Sequence, residues 1–119
     1  RFYIGYSDGT IFMTDDGGTT WAAVPMPGIP GQTWTGINDL CAIDEYVIWG
    51  SGYVNDGAND WGVAFRTITG GEQWEYWLAD VVCASGVGLN AIACCSTNHA
   101  ISVGCPDAAT AWIMEIVEF

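Results

Sequence analysis

Acidic side chains are the residues of this sequence most able to do chemistry, because two carboxylates that flank a sugar can hydrolyse its glycosidic bond. The sequence holds 14 acidic residues against 2 basic ones. Two pairs lie close together in turn-like or strand-edge contexts, Glu72 with Glu75 and Asp56 with Asp60. Because so many carboxylates produce several close pairs by chance, solvated acidic surface is the preferred interpretation of both pairs.

Two other features could mark a chemical site. His99, the single histidine, lies in a predicted tight turn, and no Ser or Cys motif marks it as part of a nucleophilic pair. We interpret it as an exposed turn residue. Residues 56–60 faintly resemble a calcium loop but lack the alternating ligands and closing Glu of an EF-hand, so a polar hairpin loop explains them equally well. The sequence thus predicts no catalytic residue, no metal site and no cofactor.

The cysteines number five, at Cys41, Cys83, Cys94, Cys95 and Cys105. An odd count without C-x-x-C spacing argues against a disulfide framework and against a zinc site. Most are expected to be small buried hydrophobic residues, and one disulfide is possible, with its partners and the redox compartment left open. Cys94 and Cys95 are adjacent in a predicted strand, so one should be buried and the other should lie at an interface between sheets.

The charge of the chain restricts its partners. The net charge is −12, and the sequence contains no Lys. Nucleic acids and anionic membrane surfaces are bound through cationic side chains, so neither is expected as a partner. No apolar run is long enough to span a bilayer, so a soluble domain is expected, with no membrane insertion. The sequence begins at Arg1 rather than Met, so the lack of a secretory signal excludes no compartment.

Three landmarks recur along the chain in the same order. They are an Asn before apolar residues (Asn38, Asn90), an apolar segment that ends in Gly (Gly50, Gly104), and a Gly-rich turn that ends in Trp (residues 14–21, 67–74). Their spacings are 52, 54 and 53 residues. Agreement among three independent landmarks indicates an internal repeat.

Each repeat is predicted to contain four short strands, separated by clusters of Gly, Asn and Asp. For the complete repeat the predicted strands are residues 37–43, 46–49, 62–67 and 74–78. Four strands in about fifty residues, repeated along the chain, are typical of β-propeller blades. The predicted domain organisation is a partial blade at residues 1–30, a complete blade at 31–82 and the start of a third blade at 83–119.

The Gly-rich turn resembles a known family motif, the Asp-box, S/T-x-D-x-G-x-T-W. The first copy matches every defined position, at Thr14, Asp16, Gly18, Thr20 and Trp21. The second copy keeps Thr67, Gly71 and Trp74 but has Thr69 and Gln73 where the Asp and the Thr belong. The resemblance implies an all-β propeller of the sialidase, sortilin or photosystem-assembly-factor type, with blades of four antiparallel strands and the box between the third and fourth strands.

The resemblance also implies a structural role for the box, which does no chemistry in the family. The carboxylate of Asp16 is expected to accept backbone hydrogen bonds, and Gly17 or Gly18 to supply a positive φ. The ring of Trp21 is expected to pack against the hairpin and the neighbouring sheet, burying a large apolar area. The less favoured alternative is a catalytic or calcium-binding acidic pair at Asp15 and Asp16.

Sialidase chemistry needs a cluster of three Arg residues to hold a carboxylate, and Arg66 is the only interior Arg. Sialidase activity is therefore not expected unless other chains or segments supply the cluster. The candidate ligand-binding residues lie in a predicted loop, where aromatic rings neighbour polar side chains: Tyr53, Asn55, Asp56, Asp60 and Trp61. Trp49 and Trp77 are instead predicted to fill space between blades.

The leading functional expectation is a non-catalytic binding or structural module that recognises glycan or protein, on an extracellular, virion or cell surface. Because two and a fraction blades cannot close a ring, the chain is expected to act as a homo-oligomer or as part of a larger chain. The apolar segment at residues 112–117 would otherwise be an exposed strand edge. The alternatives are a fragment of an Asp-box glycoside hydrolase whose catalytic residues lie elsewhere, and an assembly factor that grips a protein partner.

Overall fold

The computed structural model describes residues 1–83, 88–104 and 112–118. All regular secondary structure in these ranges is β-strand, which confirms the predicted all-β class. The strands form three antiparallel sheets, and strands consecutive in sequence are neighbours in each sheet. No helix in the described ranges is long and apolar enough to cross a membrane.

The strand bounds define the three sheets. Sheet 1 contains β1 (Phe2–Gly5), β2 (Ile11–Thr14) and β3 (Ala22–Val24). Sheet 2 contains β4 (Thr33–Ala42), β5 (Ile48–Asn55), β6 (Asp60–Thr67) and β7 (Glu75–Cys83). Sheet 3 contains β8 (Leu89–Ser96), β9 (His99–Gly104) and β10 (Trp112–Val117). Sheet 2 therefore has the four strands predicted for residues 31–82, whereas sheets 1 and 3 have three strands each in the described ranges.

The strands of sheet 2 are longer than the sequence predicts. The predicted second strand ends at Trp49, whereas β5 continues through Gly50 and Gly52 to Asn55. A Cβ atom on Gly50 would overlap the ring of Phe65. Glycine inside this strand therefore marks the close approach of a neighbouring side chain, not a turn.

The three sheets stack face to face, with sheet 2 in the middle. The core between sheets 1 and 2 includes Ile11, Ile37, Ile48, Val63, Phe65 and Trp74. The core between sheets 2 and 3 includes Trp49, Ala64, Leu89, Ile92, Ala100 and Ile116. Trp49 and Trp77 stack in this second core with ring centroids 5.5 Å apart, which confirms that both fill space between sheets. Within the described residues the stack is open and closes no ring.

A disulfide connects sheets 2 and 3, contrary to the prediction that the cysteines are mainly buried hydrophobic residues. Cys41 of β4 bonds to Cys94 of β8, and Cys83 is disulfide-bonded as well. The sequence could not identify the first pair, because the stacking of sheets 2 and 3 brings together two residues 53 apart in sequence. Cys95 points away from Cys94 and is free and exposed. Cys105 lies outside the described residues.

Strand register makes sheets 1 and 2 equivalent, position by position. Phe2 pairs with Thr14 in sheet 1, and Ile48 pairs with Thr67 in sheet 2. β1, β2 and β3 therefore correspond to β5, β6 and β7. Pairs of equivalent positions include Phe2 and Ile48, Phe12 and Phe65, Met13 and Arg66, and Trp21 and Trp74.

Candidate functional site

The turn between β2 and β3 is organised around the carboxylate of Asp16. The backbone N–H of Thr20 donates to both carboxylate oxygens, at 2.9 and 3.1 Å, and the Thr20 hydroxyl donates as well. The hydroxyl of Thr14 donates to Asp16 at 2.7 Å and accepts from the backbone N–H of Gly18 at 3.1 Å. The hydrogen bonds from Thr20, followed by that from Thr14, hold the pKa of Asp16 well below its usual range. The Asp16 carboxylate therefore stabilises the turn by accepting hydrogen bonds from its residues.

Trp21 behaves differently from the expectation. Its indole N–H donates to the carbonyl of Gly18 at 3.0 Å, so the ring packs on its own hairpin. Gly17 and Gly18 both have positive φ, at 75° and 100°. The ring is not buried against a neighbouring sheet, since 39% of the residue is exposed. The physical reason is that no sheet in the described residues covers this face of sheet 1.

The turn between β6 and β7 repeats this geometry with different side chains. The hydroxyl of Thr67 accepts from the backbone N–H of Gly71 at 2.9 Å. The backbone N–H of Gln73 donates to the hydroxyl of Thr69 at 2.9 Å, so Thr69 occupies the acceptor position of the Asp. Trp74 is 8% exposed and makes an edge contact with Phe65, with centroids 5.5 Å apart. The two turns are thus structurally equivalent although their sequences differ.

The five candidate binding residues lie on the hairpin between β5 and β6 but not on one face, because Trp61 pairs with Val54 and therefore points to the side opposite Tyr53. The polar groups of the hairpin bond mainly within it. Asp56 accepts from the backbone N–H of Asn59 at 2.7 Å and from the indole N–H of Trp61 at 3.0 Å. These bonds, with Asn59 contributing most, lower the pKa of Asp56. The amide of Asn55 donates to Asp60 at 2.7 Å. The ring of Tyr53 lies against the backbone of the first strand of its sheet, at Gly36.

These bonds bear on the calcium interpretation of the same hairpin. The Asp56 carboxylate faces backbone and indole N–H groups, whereas the Asp60 side chain is buried and faces Asn55. No cluster of three or more His, Cys, Asp or Glu side chains able to hold a metal ion occurs in the described part of the chain. The arrangement is that of a hairpin loop whose side chains cap its own backbone.

Arg66 is the residue whose role the sequence did not reveal. Its side chain is 4% exposed, and it lies on the face of β6 that meets sheet 3. One terminal nitrogen donates to Glu75 at 2.6 Å and to Glu118 at 3.1 Å. The other donates to the carbonyl of Thr97 at 2.9 Å and to the side chain of Asn98 at 3.3 Å. The guanidinium therefore ties β6 and β7 to the turn between β8 and β9.

The aromatic residues around Arg66 complete this cluster. Its guanidinium carbon lies 5.2 Å from the ring centroid of Trp49 and 5.5 Å from that of Trp77. Burial by itself would lower the pKa of Arg66, but hydrogen bonds and charges from Glu75 and Glu118 outweigh burial and raise it. The sequence feature that could have indicated this buried role is a single Arg among the apolar residues of a predicted strand.

Arg1 makes the corresponding connection between sheets 1 and 2. It donates to Asp15 at 2.7 Å and to the carbonyl of Gly70 at 3.1 Å. Its guanidinium also lies 4.9 Å from the ring centroid of Tyr46, in the turn between β4 and β5. Asp15 thus bonds to Arg1 rather than forming a pair with Asp16. Both cationic side chains of the sequence lie where neighbouring sheets meet.

The remaining chemical candidates have separate partners. Glu75 bonds to Arg66, whereas Glu72 is exposed and lines a cavity of about 360 Å³ together with Trp74. His99 contacts Glu115 at 2.8 Å, so it is a strand residue paired across sheet 3 rather than a plain turn residue. Neither Glu72 with Glu75 nor Asp56 with Asp60 forms an isolated carboxylate pair.

Two apolar faces lie at the ends of the stack. The exposed large side chains of sheet 1 are Phe2, Ile4, Tyr6 and Trp21. Those of sheet 3 are Ile101, Val103, Ile113 and Val117.

A comparison with protein-family models, curated proteins and solved structures finds no match to this chain. These faces, the hairpins and the inter-sheet clusters are therefore the features from which its function is inferred.

Proposed function

We propose that this chain is a non-catalytic structural and binding module made of Asp-box propeller blades, and that it recognises protein through the end faces of its sheet stack. It acts within a larger propeller or an oligomer. Sheet 2 is the complete blade, sheet 1 corresponds to the last three strands of a blade, and sheet 3 corresponds to the first three.

Hairpin geometry supports the Asp-box interpretation. The turns that end in Trp21 and Trp74 share the Thr acceptor and two glycines of positive φ. They also share a side-chain acceptor, at Asp16 and Thr69, for the backbone N–H four residues further on. Each turn joins the strands that correspond to the third and fourth of a blade. The motif thus serves to close a hairpin, and its Thr and Asp side chains accept hydrogen bonds from the backbone.

A single observation carries the choice of protein as the partner. The residues of sheet 2 equivalent to Phe2 and Trp21 are Ile48 and Trp74, which are 2% and 8% exposed beneath sheet 1. The same positions of sheet 1 hold large apolar side chains that are exposed. Such a patch, equivalent to a surface that a neighbouring sheet covers elsewhere in the chain, fits a protein surface. The Cys41–Cys94 disulfide fits an oxidising, extracellular setting.

The test compares the purified wild-type chain with a Trp21→Ala variant and a Glu72→Gln variant. We expect no turnover of a panel of chromogenic aryl glycosides and no saturable signal on a glycan array. Turnover that Glu72→Gln abolishes would contradict the non-catalytic function. Saturable glycan binding that Trp21→Ala abolishes would instead show that the exposed aromatic face of sheet 1 binds sugars.

A further inference from the structure

The stack has two apolar end faces, one on sheet 1 and one on sheet 3. We define the sheet 1 outer face by Phe2, Ile4, Tyr6, Phe12 and Trp21. We define the sheet 3 outer face by Ile101, Val103, Ile113, Glu115 and Val117. We propose that copies of this chain associate head to tail, with the sheet 1 outer face of one copy packed on the sheet 3 outer face of another; this inference rests on the stacked-blade function proposed above.

The sheet 1 outer face has the residue types that sheet 2 buries at equivalent positions. Phe12 is equivalent to Phe65, which is fully buried, and Trp21 is equivalent to Trp74. Ile4 pairs with Phe12 across the sheet, so both point to the same side. The opposite side of sheet 1 already packs on sheet 2 through Ile11. Among the described residues, sheet 1 therefore has a neighbouring sheet on one side only, and its other side has the residue types of a face that packs on a sheet.

The sheet 3 outer face is equivalent to the side of sheet 2 that packs on sheet 3. In β9, Ala100 and Ser102 are buried toward sheet 2, so Ile101 and Val103 point the other way. Ile101 pairs with Glu115, as Trp49 pairs with Arg66 in sheet 2.

The direction of stacking follows from this equivalence. Sheet 2 presents its Trp49 side to the next sheet in the chain and its Phe65 side to the preceding one. Continued in the same direction, the sheet 3 outer face would receive a sheet whose contact side has residues in the positions of Ile48 and Phe65. Sheet 1 holds Phe2 and Phe12 in those positions. A second copy therefore offers the matching face without any other partner.

The charges on the two faces allow this contact. The charged residue among those that define the faces is Glu115, and His99 contacts it at 2.8 Å. The copies nevertheless repel each other, because each has a net charge of −12. Salt screens repulsion between exposed charges while leaving apolar burial in place. Association should thus strengthen as salt rises, the opposite of an interface held by ion pairs.

The experiment measures particle mass by light scattering and sedimentation over a range of protein and salt concentrations. Ile4→Glu alters the sheet 1 outer face, and Ile113→Glu alters the sheet 3 outer face. Ile68→Glu is the matched control, because Ile68 is a similarly exposed isoleucine in the β6–β7 turn of the central sheet. Circular dichroism checks folding, and Val103→Glu replaces Ile113→Glu if the latter is misfolded.

We expect the wild type and Ile68→Glu to assemble with rising concentration and salt. Each face variant alone should associate at least about tenfold more weakly, because a buried charge without a partner opposes docking. An equimolar mixture of Ile4→Glu and Ile113→Glu should form a complex of two chains and stop there, since each contributes one intact face. Dimerisation of Ile113→Glu alone would overturn head-to-tail packing in favour of a symmetric contact.

Failure of this inference differs from failure of the proposed function. A wild type that stays a single chain at every concentration and salt overturns the inference. If that monomer still binds the apolar dye ANS, and Ile4→Glu and Ile113→Glu reduce dye binding while Ile68→Glu does not, the faces are open to a different protein partner and the proposed function stands. Glycoside turnover by the same monomer would contradict the proposed function itself.

Discussion

Trp21 and Trp74 end two hairpins of the same geometry, yet the first is 39% exposed and the second 8%. The difference comes from their surroundings, because Trp74 lies between sheets 1 and 2 and Trp21 lies on the sheet 1 outer face. One residue type in one local geometry thus occupies an internal interface in one case and an open face in the other.

This difference predicts unequal costs of truncation. Trp74→Ala should destabilise the fold by about 3–5 kcal/mol, because it leaves a cavity beside Phe65. Trp21→Ala should cost about 1 kcal/mol or less in the single chain, since much of its ring is already in water. Urea denaturation of both variants measures the two values. Equal costs would contradict the burial difference.

Replacing the hydroxyl acceptor of the second hairpin by a carboxylate should stabilise it. In Thr69→Asp, a carboxylate would accept from the N–H of Gln73, as Asp16 does from Thr20. Charge-assisted bonds are stronger than neutral ones, so we expect a gain of about 1 kcal/mol. The control is Ile68→Asp, which adds the same charge in the same turn without an acceptor role. A gain of the same size in the control would show that the acceptor position is irrelevant.

The hydrogen bonds of Asp16 predict acid sensitivity of the first hairpin. Its folded pKa lies below its unfolded value of about 4, so the carboxylate contributes stability above that pH. The contribution is lost as pH falls through the folded pKa. Asp16→Asn should remove this part of the pH dependence of the unfolding free energy below about pH 4. Near neutral pH, the slope of unfolding free energy against pH should be the same in the variant and the wild type. Denaturation midpoints of the wild type and the variant, measured across acidic pH, test this.

Arg66 should contribute to stability through hydrogen bonds and packing together. Arg66→Ala is expected to cost about 3 kcal/mol, because a buried charged hydrogen-bond donor and a contact to Trp49 are both lost. Arg66→Met, which copies the equivalent Met13, should cost less because it retains part of the packing. A double-mutant cycle with Glu75→Gln separates the ion pair from the packing. No difference between the Ala and Met variants would show that packing contributes nothing.

The Cys41–Cys94 disulfide should stabilise the stack by restricting the unfolded chain. It closes a loop with a sequence separation of 53 residues. Chain-entropy estimates for such a loop give about 4 kcal/mol. The double variant Cys41→Ala, Cys94→Ala isolates this bond from that of Cys83, and its unfolding free energy should fall by about this amount. A reductant should then lower stability less in the variant than in the wild type.

Local features of the fold followed from the sequence. The Asp-box-like turn at residues 14–21 predicted a hairpin with Asp16 bonded to the backbone, and the structure has that hairpin. The prediction that Trp49 and Trp77 fill space between neighbouring sheets was also correct. Turn chemistry of this kind depends on residues close in sequence, and a period of about fifty residues shows how often a unit recurs.

Other features depended on which sheet lies beside which. Contacts between residues far apart in sequence determine three such features. These are the lengths of β5 and β7, the Cys41–Cys94 pair and the buried position of Arg66. The sequence analysis ends the second strand at Trp49, but β5 continues because it pairs with β6 as far as Asn55. Gly50 is needed there because a side chain would overlap the ring of Phe65.

The sequence by itself determined the all-β class, the repeat and the hairpin chemistry, because strand patterns and turn residues act over a few positions. Tertiary structure decided which apolar residues are covered and which are open. The burial of a side chain depends on the neighbouring sheet, so the equivalent hairpin positions of Trp21 and Trp74 do not reveal that one ring is open and the other covered.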